Sequence, residues 1–188
     1  GYLRPQVDAL PSWYNQLVKA QGFAGTFEDA VTRDGHLWDY AAMLAPWAET
    51  FGEDAIRVWT YPPGDVRTDY LARIGAADVI RVAPVQRQNR RILRDILEYQ
   101  RIINQRSVPT VTKRRFHKRL IALSHAEPSS PALKDAPFVS TARLVDLAAR
   151  YAESNAEVAR RFGLPHPLFD RAAPVDHGNP EDYPGPSP

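Results

Sequence analysis

An arginine and a serine near the start of the chain have the type and spacing of a phosphate-binding pair. Arg4 follows the apolar residues Tyr2 and Leu3, and Ser12 comes eight residues later. An arginine offers a planar fork of donors to a phosphate, and a helix start adds backbone amides and a hydroxyl. The segment therefore predicts a strand, a loop and a helix N-terminus that bind a phosphate. The ordinary alternative is a solvated loop arginine and a serine that only caps the helix.

The elements around this pair predict an α/β fold in which helices dominate. Pro11 suits a first helical turn, so the first helix is expected to begin near residues 10–12 and to end at Gly22. Thr26 is the expected N-cap of a short second helix. Apolar spacing predicts a third helix over residues 37–51 with Pro46 inside it. A strand over 55–61 and a short helix over 65–75 follow, so about two strands, parallel to each other, are expected.

The second half of the sequence predicts three longer helices. They cover residues 88–105, 111–124 and 140–163, and Ser140 is the expected N-cap of the last one. In the middle helix Phe116, Leu120 and Leu123 have helical spacing and are expected to face the core. Residues 1–163 are interpreted as one domain, which is expected to be incomplete at its N-terminus because the chain enters directly at a strand end. Prolines and glycines predict an irregular tail over 164–188.

Basic residues are concentrated in the middle of the chain. Residues 81–119 hold 12 of the 24 lysines and arginines, against 2 acidic side chains. Lys113, Arg114 and Arg115 open the densest run and are candidate ligands for an anionic substrate. A solvated helix face is the ordinary reading of such a run. Nucleic acid is disfavoured as a partner, because the only aromatic residue among these charges, Phe116, is expected to be buried.

Composition sets further limits on location and chemistry. The 188-residue chain has no cysteine, which excludes disulfides and cysteine-based sites and fits a reducing compartment, so a cytoplasmic location is expected. No apolar run approaches the roughly 20 residues of a membrane span. No histidine–carboxylate spacing indicates a metal site. Trp47 and Trp59 are expected to pack in the core, and a buried Asn155 would need a polar partner.

The order of motifs resembles one known family. Arg4 and Ser12, followed by Trp13-Tyr14-Asn15-Gln16, look like the 3′-phosphate-binding segment of sulfotransferases that use 3′-phosphoadenosine 5′-phosphosulfate (PAPS). The helix that begins at Asp39-Tyr40, the following strand and the late helix from Tyr151 come in an order similar to that of bacterial sulfotransferase-like proteins.

The resemblance implies a P-loop NTPase-like sulfotransferase domain, present here as its C-terminal portion. It implies transfer of a sulfuryl group from PAPS to a hydroxyl of a carbohydrate or small-molecule acceptor, with Arg4 and Ser12 on the 3′-phosphate and no metal. The family's Gly-rich phosphate loop is absent from these residues, so no catalytic residue is assigned, and the hypothesis that follows is that this chain alone is inactive. The competing prediction is a helical binding module that holds an anionic partner through the basic block 81–119.

Overall fold

Two short strands and eight α-helices form the regular structure of the described residues. The computed structural model describes residues 1–81, 92–126, 133–134, 136–169, 180 and 183–186. In chain order the elements are β1 (Tyr2–Leu3), α1 (Gln6–Gln21), α2 (Phe27–Asp34), a 3-10 helix (Gly35–Trp38), α3 (Tyr40–Phe51), a 3-10 helix (Glu53–Ala55), β2 (Trp59–Thr60), α4 (Val66–Arg73), α5 (Arg94–Gln105), α6 (Thr110–Ala126), α7 (Thr141–Arg150) and α8 (Ala152–Arg161).

The two strands form a parallel pair, as the sequence predicts. Tyr2 of β1 lies opposite Trp59 of β2. Beyond this pair, the amide of Tyr61 donates to the carbonyl of Leu3 at 2.7 Å. Parallel strands bring their carboxyl ends to one edge of a sheet. The residues that follow the strands, Arg4 and Tyr61, therefore emerge side by side.

Two hydrophobic clusters hold the elements together. The larger cluster lies between α1, α2, α5 and α7, and its most deeply buried side chains are aliphatic. They are Leu17, Val18, Ile92, Ile96, Leu97 and Leu147. The smaller cluster joins the strands to α3 and α8 through Leu3, Tyr40, Val58 and Val158, and it includes Leu168 from the segment after α8. Because burial of each large aliphatic side chain contributes roughly 1.5–3 kcal/mol, these clusters fix how the helices are arranged around the strands.

The first helix begins earlier than predicted. It starts at Gln6 with Pro5 as its N-cap, and Pro11 lies inside it. Pro5 already has the φ of a residue that leads into a helix, and Gln6 is 3% exposed because the helix start packs against the rest of the fold. The expected start at residues 10–12 is therefore wrong, and Ser12 is not a capping residue.

Other boundaries also differ from the predictions. The last predicted helix is two helices that meet at Tyr151, whose hydroxyl donates to the carbonyl of Gly35 at 2.9 Å. The residues predicted to open the third helix instead form the 3-10 helix Gly35–Trp38, and α3 starts after its N-cap Asp39. Only Trp59–Thr60 of the predicted strand pairs with β1. The helix predicted from residue 88 begins at Arg94, and residues 88–91 lie outside the described part of the chain.

Local end signals were predicted correctly. Thr26 caps α2, and its hydroxyl and the Asp29 carboxylate bond reciprocally to each other's backbone amides. Ser140 caps α7 by accepting from the amide of Arg143 at 3.2 Å. Gly22 ends α1 with φ of 70°, a conformation that glycine adopts without steric cost.

Within the described segments, none of the helices combines the length and the apolar character that crossing a membrane requires.

Candidate anion-binding site

A cavity of about 550 Å³ opens at the carboxyl ends of the two parallel strands. In α/β folds, ligands commonly bind at this edge of the sheet, and the volume lies within the usual range of small-molecule sites. Three segments form the walls: the turn from β1 into α1, the turn after β2, and the chain beyond α8. The lining residues are Arg4, Pro5, Asp8, Thr60, Tyr61, Pro62, Pro63, Pro165, Pro167, Leu168 and Phe169.

Arg4 is the positively charged residue of this cavity. Its guanidinium lies over the ring of Tyr61, 5.5 Å from the ring centroid. The backbone of Arg4 is fixed by Tyr40, whose hydroxyl donates to the Arg4 carbonyl at 2.7 Å. Tyr40 is itself buried, and burial raises the pKa of its phenol, so the hydroxyl stays protonated at neutral pH. The backbone is therefore held while the exposed guanidinium faces the cavity.

The first turn of α1 lies beside Arg4. The N-cap Pro5 makes no side-chain hydrogen bond to this turn, and its carbonyl accepts from the amides of Asp8 and Ala9 at 3.0 Å each. The amides of a first helical turn carry partial positive charge and favour an anion. The carboxylate of Asp8 lies in the same cavity and opposes an anion there. The site therefore combines one full positive charge and a helix N-terminus with one negative charge.

An amide pair ties this helix start to α8. The Gln6 side-chain amide donates to Asn155 Oδ1 at 2.9 Å, and Asn155 Nδ2 donates back to Gln6 Oε1 at 3.1 Å. Gln6 Nε2 also lies 3.2 Å from the carbonyl of Trp38. The sequence predicts that a buried Asn155 needs a partner, and the structure supplies it from a residue 149 positions away.

Ser12 does not line the cavity that contains Arg4. It is exposed on α1, four residues after Asp8 and therefore on the same helical face one turn further along. At about 1.5 Å of rise per residue, Ser12 lies roughly 9 Å along the axis from Gln6. Of the two predicted phosphate ligands, therefore, only Arg4 lines the cavity.

The other candidate ligands lie on α6, which contributes no residue to the cavity. Lys113 donates to the carbonyl of Asn104 in α5 at 3.0 Å, so its ammonium ties two helices together. Arg114 and Arg115 are exposed. Phe116 is 48% exposed, so its predicted burial is wrong. The structure therefore separates these cations from Arg4.

Sequence reasoning missed several residues of this site. Tyr61 ends the predicted strand and Pro62 follows it directly, which is a signal for the carboxyl edge of a sheet, but the contribution of residues 165–169 carries no such signal. Trp47 is 59% exposed and stacks on Phe51, so its predicted place in the core is wrong. Trp59 packs against Tyr2 with 5.4 Å between ring centroids.

In the described ranges, no cluster of three or more histidine or acidic side chains has an arrangement that suits a metal ion.

A second cavity, of about 370 Å³, lies between α1, α2 and α5. Tyr183 from the tail lines it and donates its hydroxyl to Asp95, a carboxylate with no solvent exposure. Asp95 also accepts from the amide of Lys134 at 3.0 Å. These hydrogen bonds satisfy the buried carboxylate of Asp95. We therefore interpret this region as a structural contact that holds the tail against α5.

Comparison with known proteins leaves the resemblance untested. No protein-family model, no curated protein and no solved structure matches this chain. The case for a phosphate-binding function therefore rests on the residues and the geometry described above.

Proposed function

We propose that the cavity at the strand ends binds the 3′-phosphate of a PAPS-type nucleotide, as part of a sulfotransferase of the P-loop NTPase-like class. The observation that carries this proposal is the position of Arg4, at the carboxyl end of β1 and beside the first turn of α1. PAPS would supply the sulfuryl group for a hydroxyl of a carbohydrate or other small acceptor. A cytoplasmic location is part of the same proposal, since a chain without cysteine suits a reducing compartment.

The residues fit the nucleoside 3′-phosphate portion of this ligand. The Arg4 guanidinium donates in the planar pattern that a phosphate accepts, and first-turn amides reinforce it. Tyr61 and Phe169 add aromatic surface of the kind that a nucleobase packs against. No Gly-rich Lys-Ser or Lys-Thr loop occurs among the 188 residues, so nothing here corresponds to a 5′-phosphosulfate site. The proposal therefore covers binding by this chain and assigns no catalytic residue.

Calorimetric titration with 3′-phosphoadenosine 5′-phosphate tests the proposal. A hydrogen-bonded charge pair is worth about 1.5–3 kcal/mol, so Arg4→Ala should weaken binding about 10- to 100-fold. Adenosine 5′-monophosphate lacks the 3′-phosphate, and its affinity should be low and insensitive to Arg4→Ala. Arg160→Ala on α8 is the matched control, because Arg160 is an exposed arginine outside the cavity. Equal sensitivity of both nucleotides to Arg4→Ala would refute a 3′-phosphate contact.

Asp8 offers an independent test with the opposite sign. Its carboxylate shares the cavity with Arg4 and repels an anion. Asp8→Asn keeps the size of the side chain and removes the charge, so it should tighten binding of the 3′-phosphorylated nucleotide while leaving a neutral nucleoside unaffected. Weaker binding in this variant would argue against an anion site at this position.

A second function is favoured by the cations of α6. Arg114, Arg115, Lys118 and Arg119 are all exposed. Within the described residues no carboxylate forms an ion pair with any of them. We propose on this basis the alternative of a non-enzymatic module that binds an anionic partner through the basic block, of which residues 82–91 lie outside the described part. This alternative would be supported if the protein binds dextran sulfate, if added salt weakens that binding, and if Arg4→Ala leaves it unchanged.

A further inference from the structure

We infer that the exposed face of α6 docks this protein on an anionic lipid surface. The inference rests on the second proposed function, because it names the partner of the same cations, and it is independent of the nucleotide cavity. The α6 helix has 17 residues, so it offers a face about 25 Å long. One side of this helix packs on the protein through Leu120, Ile121 and Ser124. The opposite side carries both charge and apolar surface.

Two adjacent rows of side chains form this outward face. Residues three and four apart on a helix are neighbours, so Thr112, Phe116, Arg119 and Leu123 make one row. Val111, Arg115, Lys118 and Ala122 make the second row beside it. The side chains of Val111, Phe116 and Leu123 are 66%, 48% and 42% exposed. The first row therefore has one cation between two exposed apolar side chains, and the second has two adjacent cations between Val111 and Ala122.

This combination favours a lipid surface over a soluble polyanion. Headgroups attract lysine and arginine, while exposed phenylalanine and leucine side chains gain free energy by entering the acyl boundary. A nucleic acid can stack a base on Phe116, but neither a nucleic acid nor a sulfated glycan gives an apolar partner to Leu123 or Val111. Among these partners, a lipid surface is the one that offers an apolar layer to Leu123 and Val111 as well as negative charge to the cations.

Vesicle sedimentation with the full chain tests the docking. Vesicles of phosphatidylcholine with about 30% phosphatidylserine should bind the protein, pure phosphatidylcholine should not, and added salt should release it. Arg115→Gln and Arg119→Gln should each reduce vesicle affinity about fivefold. Arg160→Gln on α8 is the control for loss of charge alone. Absence of binding to the anionic vesicles would overturn the inference.

The apolar residues separate a lipid surface from a soluble polyanion. Phe116→Ser with Leu123→Ser should weaken vesicle binding and leave dextran sulfate binding unchanged. Val145→Ser on α7 is the matched control, because Val145 is also 48% exposed. If the double variant binds vesicles as the parent protein does, the face is a polyanion site and the lipid inference fails. If neither vesicles nor dextran sulfate bind, the second proposed function fails with it.

A label at Phe116 gives a measurement that does not depend on affinity. The chain has no cysteine, so Phe116→Cys provides a single site for an environment-sensitive fluorophore. Emission should shift to the blue when anionic vesicles are added, since the label enters an apolar layer. The same label at Val145→Cys should show no shift. If the protein binds the vesicles but the emission of the label at Phe116→Cys does not shift, the label has stayed in water and the inference is refuted.

Discussion

Replacement of Asn155 by leucine is expected to destabilise the fold and to weaken the proposed nucleotide site. Asn155 and Gln6 exchange two hydrogen bonds, of 2.9 and 3.1 Å, between α8 and the first residue of α1. Leucine has a similar volume but no polar group. Gln6, which is 3% exposed, would then lose the donor to its Oε1 and keep only the contact of its Nε2 with the carbonyl of Trp38.

The expected cost follows from the group that is left without a partner. A buried polar group deprived of its hydrogen bond costs about 1–3 kcal/mol. Oε1 of Gln6 loses its partner, whereas Nε2 retains one, and Asn155 itself is half-buried and partly reached by water. We therefore expect Asn155→Leu to lower the free energy of unfolding by about 2 kcal/mol. Urea denaturation followed by circular dichroism measures this value, and an unchanged m-value shows that the unfolded state is unaffected.

A double-mutant cycle identifies the source of the loss. In Gln6→Leu with Asn155→Leu both polar groups are gone, so the double variant should be less destabilised than the two single changes added together. Glu153→Ala, an exposed change on the same helix, is the control and should have little effect. A cost for Asn155→Leu below about 0.5 kcal/mol, or strict additivity in the cycle, would refute the reasoning.

The same variant links stability to binding. Gln6 lies two residues after Arg4, so loosening the start of α1 changes the position of the guanidinium. Tyr40 still holds the Arg4 carbonyl, which limits that movement. Asn155→Leu should thus reduce affinity for 3′-phosphoadenosine 5′-phosphate, by less than Arg4→Ala does. The measurement is calorimetric titration at a temperature where the variant is fully folded.

Three further predictions concern the rest of the fold. Tyr183→Phe removes a donor from the buried Asp95 and should cost about 1.5 kcal/mol in urea unfolding; an unchanged midpoint would mean that the tail is not held there. Ser140→Ala removes the N-cap of α7 and should cost about 1 kcal/mol, whereas Ser140→Thr should largely preserve it. Burial raises the pKa of Tyr14 to about 12, so its contribution to stability is complete below about pH 10 and is lost as the pH rises to about 12. Tyr14 should contribute about 1.4 kcal/mol per pH unit to the fall in the free energy of unfolding across this range, and the fall in Tyr14→Phe should be smaller by that amount.

The sequence by itself determined features that depend on neighbours along the chain. Thr26 and Ser140 cap their helices through bonds to amides three residues away, and Gly22 ends α1 through its own backbone freedom. Apolar spacing likewise identified the helix over most of residues 37–51. These features are readable because their energies come from residues within about one helical turn of each other.

Distances along the chain explain what the sequence did not reveal. The start of α1 at Gln6 depends on a partner 149 residues away, and Tyr151 divides α7 from α8 while bonding to Gly35, 116 residues earlier. Helical spacing identified the side of α6 with Phe116 as apolar, but it contains no information on which side has a neighbour to pack against. Only the tertiary structure shows that Leu120 of this predicted side packs on the core, whereas Phe116 and Leu123 are exposed.

The site divides in the same way. The sequence identified Arg4 as a candidate phosphate ligand, because it is an arginine and it follows a short apolar segment. The cavity around it exists because parallel pairing of β1 and β2 brings Tyr61 beside Arg4, and because the chain after α8 returns to cover them. Ser12 shows that spacing along the chain is an incomplete guide. It lies on the helix that begins just after Arg4, but it does not line the cavity. Residue type determines which ligand a side chain suits, and tertiary packing determines which side chains meet it.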